Sequence, residues 1–108
     1  MAAQATVVMT TVADRSQADA LCTLLLERRL AACIQEIPMT SRYRWQGEVQ
    51  RESEILLLVK TSAGAADDVM QAIEVNHEYD VPEILALPVS GGLPAYLRWL
   101  ENETGEPR

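Results

Sequence analysis

The run EILLLVK, from Glu54 to Lys60, constrains the fold more than any other segment, because its residues Ile55 to Val59 are all apolar. Side chains of a strand alternate between its two faces, so an unbroken apolar strand must be covered on both. Such a strand belongs in the middle of a sheet. The chain has 108 residues, about the size of one domain, with 48% of them apolar, so few elements are left to supply two covers.

The flanking segments alternate between strand and helix patterns. Thr6 to Val12 is rich in Val and Thr and reads as a first strand. Ser16 then offers an N-cap, and Ala18, Leu21, Cys22 and Leu25 recur at i, i+3, i+4 and i+7, the period of an apolar helix face. Asp19 near its start and Arg28 and Arg29 near its end suit the helix dipole. Ala32 to Ile37 forms a second strand that Pro38 interrupts, so an edge position or a bend is expected there. In SRYRWQGEVQ, Tyr43 and Trp45 alternate with Arg42 and Arg44, and Gly47 marks a hairpin turn. A two-residue loop would set Arg42 against Arg51. A three-residue loop ending at Gly47 instead pairs Arg44 with Glu48 and Tyr43 with Val49, and this register is expected because like charges then avoid each other.

Beyond the apolar run, Ser62 precedes a second helix with the face Ala66, Val69, Met70 and Ile73, and Asp67 and Asp68 fall in its first turn. Glu83 to Val89 is a fourth strand, Ser90-Gly91-Gly92 a turn, and Pro94 opens a short last helix carrying Leu97 and Leu100. Residues 103–108 form a polar tail expected to fray. The order is βαββαβ plus a helix, an α+β, ferredoxin-like sandwich with an extended hairpin between the second and third strands. One such domain fills residues 1–108, with the first and third strands central. Two helices cover only one sheet face, so the other face of the third strand calls for oligomerisation.

Sixteen acids against nine bases give a formal charge of −7, which repels phosphate backbones and argues against nucleic acid or anionic lipid as the main partner. No run reaches the roughly eighteen apolar residues of a membrane span, and the N-terminus lacks the charged and apolar regions of a leader, which points to the cytoplasm. Cys22 and Cys33 have neither metal-motif spacing nor disulfide density and are read as reduced.

One tract carries chemistry. In NHEYDVPEILALPV the only histidine, His77, stands with Glu78, Asp80 and Glu83 within seven residues. Imidazole suits copper, nickel or zinc, and carboxylates supply charge, so the cluster can ligate a divalent metal. The same residues also make an ordinary polar helix-to-strand turn. A single imidazole closes no tetrahedral site, so further ligands would come from symmetry, a cysteine or a bound ligand.

The segments ERRLAACIQEIP, SRYRWQGEVQRESEILLLVKT, HEYDVPEILALPV and YLRWL, in that order, closely resemble the CutA, or divalent-cation tolerance, family, and the resemblance extends from Val7 to Leu100. The resemblance implies a ferredoxin-like fold, a homotrimer, a cytoplasmic location, and binding of copper(II) or another divalent cation in a role in metal tolerance. On the family's motif, His77 falls on the histidine before the aromatic residue Tyr79, and Glu83 on the glutamate of its Pro-Glu pair. Glu78 replaces a usual proline and adds a further candidate carboxylate. Thr10 takes the place of a metal-binding cysteine that some members carry at the end of the first strand. The sheet plan also resembles that of the PII-type regulators, trimeric signalling proteins that bind small ligands between subunits, although the chain lacks a glycine-rich phosphate loop. An enzyme using His77 and Glu83 as base and acid finds no nucleophile or oxyanion element in support.

Overall fold

In the computed structural model, which describes residues 4–105, the third strand is central as its apolar run requires. The elements are β1 (Ala5–Val12), α1 (Arg15–Glu27), β2 (Cys33–Trp45), β3 (Glu48–Ser62), a 3-10 turn (Ala63–Ala65), α2 (Ala66–Asn76), β4 (Ile84–Val89) and α3 (Pro94–Glu103). The four strands form one antiparallel sheet in the order β2-β3-β1-β4. This is the expected α+β, ferredoxin-like sandwich.

The face covered by α1 and α2 holds the core. Val8 and Val12 of β1 and Ile55, Leu57 and Val59 of β3 meet Ala18, Leu21, Cys22 and Leu25 of α1 and Val69 and Ile73 of α2. The 3.6-residue spacing of the two helices and the alternate residues of the strands thus converge on one layer. On the opposite face, Leu56 and Leu58 are only half-buried. Beside them Leu85 and Leu87 of β4 remain 55% and 45% exposed. The short α3 covers one end of this second face: Lys60 Nζ lies 5.7 Å from the centre of the Tyr96 ring, and Thr104 Oγ1 bonds Ser62 Oγ at 3.0 Å.

Local details depart from the expected pattern in four places. The N-cap of α1 is Asp14, not Ser16: the Gln17 N–H donates to Asp14 Oδ1 at 2.9 Å, so Ser16 already lies within the first turn. β2 does not stop at Ile37 but runs unbroken through Pro38; the expected edge position holds, and there a missing donor costs no second ladder. The hairpin has a two-residue loop, and Arg42 does face Arg51. Gln46 and Gly47 both take left-handed φ, 51° and 82°, which matches the right-handed twist of the flanking strands. A shift by one residue would set Ile34 beside Leu58 instead of Val59 and turn its side chain out of the core. Two exposed arginines, screened by water, weigh less than that. Lastly, Glu103 to Gly105 are held in place: Arg29 donates from Nε to the Gly105 carbonyl and from Nη2 to the Asn102 carbonyl, both at 2.7 Å. Residues 106–108 of that tail lie outside the described residues.

β1 pairs with β3 only from Ile55 to Ser62, so Met39–Trp45 and Glu48–Glu54 continue as a two-stranded ribbon beyond the sheet. It stretches the molecule to 47 Å along its longest axis.

Candidate functional site

The α2–β4 junction begins where α2 stops. Asn76 folds its amide back onto the Ala72 carbonyl at 2.8 Å, and His77 leaves the helix in an extended conformation, φ −82° and ψ 143°. That exit carries the imidazole across to β1. Its Nε2 lies 2.7 Å from the Thr11 carbonyl oxygen, and its Nδ1 accepts the Tyr79 N–H at 3.1 Å. A carbonyl oxygen only accepts, so the proton sits on Nε2, and both ring nitrogens are occupied. The Tyr79 ring packs against the imidazole at 4.8 Å between centres, and its hydroxyl donates to Glu54 Oε2 at 2.8 Å. His77 and Tyr79 therefore lash the junction to the end of β1 and to β3. Burial, and then the neighbouring Glu54 carboxylate, push the Tyr79 phenol well above its usual range.

Between this junction and the ribbon lies an open cleft of about 930 Å³. Ser41, Tyr43 and Trp45 of β2 and Gln50, Glu52 and Glu54 of β3 line one wall. The ladder register puts all six on the same strand face, the one turned away from α1 and α2. Thr11 and residues 78–83 close the other side. Five carboxylates, those of Glu52, Glu54, Glu78, Asp80 and Glu83, share the cleft with one cation, Arg42. Their summed field favours cations.

Of the residues singled out from the sequence, Glu78 and Glu83 face this cleft and are exposed. His77 borders it but spends both nitrogens inside the protein. Thr10 points the other way: it is fully buried between Val8 and Val12 on the helix-covered side, and its hydroxyl has no hydrogen-bond partner among the described residues. The residue of β1 that reaches the cleft is Thr11. Among the described residues, no three His, Cys, Asp or Glu side chains converge closely enough to hold a metal ion.

Glu52 and Glu54 escaped the sequence reading, and so did the cleft-lining role of Tyr43 and Trp45. The signal was present in the two-residue loop: with Gln46-Gly47 as the turn, Tyr43 pairs with Gln50 and Ser41 with Glu52, which aligns the aromatic and acidic rows on one face. The expected three-residue loop set Tyr43 against Val49 and hid that alignment.

The chain matches the family described as CutA1 divalent ion tolerance protein over residues 6–103. It is 46% identical over 100 residues to the divalent-cation tolerance protein CutA of Thermus thermophilus, a match covering 92% of this chain and 97% of that protein. It is 42% identical over 99 residues to the chloroplastic protein CutA of Arabidopsis thaliana, covering 91% of this chain and 54% of the plant protein, so it spans about half of that relative. The solved structure of CutA1 from Oryza sativa superposes with a TM-score of 0.91 at 40% identity, over 97% of either chain.

Proposed function

The chain belongs to the CutA1 divalent ion tolerance family, and from that premise we propose that it is a homotrimer that binds divalent cations, copper(II) among them, in the acidic cleft between the ribbon and the α2–β4 junction. The observation that carries the reading is the acidic lining of that cleft, five carboxylates to one cation, in a protein of net charge −7. Glu83 and Glu78 are the candidate ligands. A single chain brings too few donors together, and threefold symmetry supplies the remainder by setting one copy's cleft against another copy's surface. His77 joins the ligand set only by giving up its bonds to Thr11 and Tyr79. Otherwise it positions the loop that carries Glu78 and Glu83. Thr10 has no part in the site, since its hydroxyl faces the core. The half-exposed apolar face of β1, β3 and β4 gives the subunits a surface to bury.

The family is named for tolerance rather than for a reaction, and we assign no catalytic step. Among the described residues no helix is long and apolar enough to cross a membrane, and the cytoplasmic location belongs to the proposal.

Calorimetric titration with copper(II), zinc and magnesium tests the assignment, with light scattering to read the mass. Saturable binding is expected, weakened by about tenfold or more in Glu83→Gln, as removal of a metal-supporting group typically does. Full retention of affinity in both Glu83→Gln and Glu78→Gln would remove the site. His77→Ala separates the two roles of the imidazole: a lost ligand abolishes copper preference over magnesium, whereas a lost positioning residue weakens all three ions alike.

A further inference from the structure

The cleft contains more than carboxylates. Tyr43 and Trp45 are held side by side on the ribbon, 38% and 47% exposed, with Tyr79, Val81 and Pro82 across from them. Aromatic and aliphatic walls contribute nothing to a bare metal ion, which takes oxygen, nitrogen or sulfur ligands at about 2.0–2.6 Å. They do favour a cation that carries its charge on an organic frame, because the negative faces of aromatic rings attract it while the frame buries apolar surface.

At the inner end of the cleft is Glu54, only 8% exposed. A carboxylate so far withdrawn from water is costly unless partnered. Glu54 Oε2 takes the Tyr79 hydroxyl, and this carboxylate lines the cleft. Its nearest acidic neighbour along the same strand face is Glu52, two residues on. A volume of about 930 Å³ lies at the upper end of the usual range for pockets that take small organic molecules.

We propose that the cleft binds an organic cation, an alkylammonium or alkylguanidinium group, with its charged head at Glu54 and Glu52 and its apolar body against Tyr43 and Trp45. The head supplies donors to these two carboxylates, and a guanidinium can engage a carboxylate with two parallel hydrogen bonds. The same chemistry is offered by a free amine and by the arginine or lysine side chain of a polypeptide. This inference rests on the cleft being the functional site and is independent of whether a metal ion binds there.

The test uses the full chain in a Trp99→Phe background, so that fluorescence reports Trp45, with a chelator present to exclude metal ions. Butylguanidinium and tetraethylammonium are expected to give saturable changes, and butanol and butyrate none. Glu54→Gln is expected to weaken butylguanidinium at least tenfold. Should that variant unfold, Glu52→Gln, at an exposed position, is expected to weaken it severalfold with thermal unfolding unchanged, while Glu48→Gln, outside the cleft, leaves affinity intact. N-acetyl-arginine amide binding more tightly than butylguanidinium identifies a polypeptide side chain as the source, and the reverse order a free amine. Absence of saturation, equal binding of butyrate, or unaltered affinity in Glu52→Gln and a folded Glu54→Gln overturns the inference. Copper binding by calorimetry without butylguanidinium binding leaves the metal reading standing and removes this one; the opposite pair of results does the reverse.

Discussion

Cys22 shows how much of a residue's chemistry is set by what covers it. On the inner face of α1, with Glu36 and Asp19 nearby, its thiol is pushed by burial, and secondarily by those charges, up to about 11 from its ordinary value of 9.0. The folded state therefore keeps its proton where the unfolded chain has lost it. Stability linked to this group is complete below pH 9 and drains away as pH rises toward about 11. Urea unfolding at pH 8, 9.5 and 10.5 is expected to show a steeper loss in the wild type than in Cys22→Ala; parallel slopes would contradict the assignment. His77 is the other residue whose role depends on its partners. A histidine among acids resembles a ligand in any one-dimensional reading, and the sequence holds no sign that Thr11, 66 positions away, offers its carbonyl oxygen to the ring.

Among the elements, the end of α1 is the most constrained. Arg29 adopts φ 56°, a left-handed conformation that usually falls to glycine. Its N–H bonds Leu26 O at 3.1 Å and the Leu30 N–H bonds Leu25 O at 2.9 Å, which caps the helix. The same residue clasps the end of α3 through its guanidinium, and the Gly105 N–H returns a bond to the Arg29 carbonyl at 2.9 Å. Backbone strain thus opposes side-chain bonding at one position. Arg29→Ala keeps the strain and loses both bonds of the clasp, with an expected total cost of about 1–3 kcal/mol, since hydrogen bonds to a charged group are weakened where water reaches them. Arg29→Gly relieves about 1 kcal/mol of the strain and is expected to lie between the two. Equilibrium unfolding orders the three proteins, and hydrogen exchange in α3 is expected to quicken in both variants. The hairpin makes a related point about legibility. Charge avoidance between Arg42 and Arg51 was readable and misled, because a long ladder and a turn with two left-handed residues outweigh one screened repulsion.

At the scale of the whole molecule, the two faces of the sheet differ. One is closed by α1 and α2; the other leaves Ile37, Leu85 and Leu87 between 42% and 55% exposed, with Leu56 and Leu58 beside them. A continuous apolar surface of this kind favours association. Light scattering is expected to give three times the 12.0 kDa of one chain, and Leu85→Glu or Leu87→Glu to shift the mass downward at micromolar concentration. Retention of the same mass by both variants would move the interface elsewhere. The sequence by itself determined the element order, the central place of β3 and the core face of each helix, since these depend on local period and on the need to bury apolar side chains. It also marked Glu78 and Glu83, which lie on a short polar loop. The tertiary structure decided the register of the ribbon, the direction of Thr10 and Thr11, the occupation of both His77 nitrogens and the meeting of Glu54 with Tyr79. Each of these joins residues distant along the chain, where only the folded geometry sets which polar groups find one another.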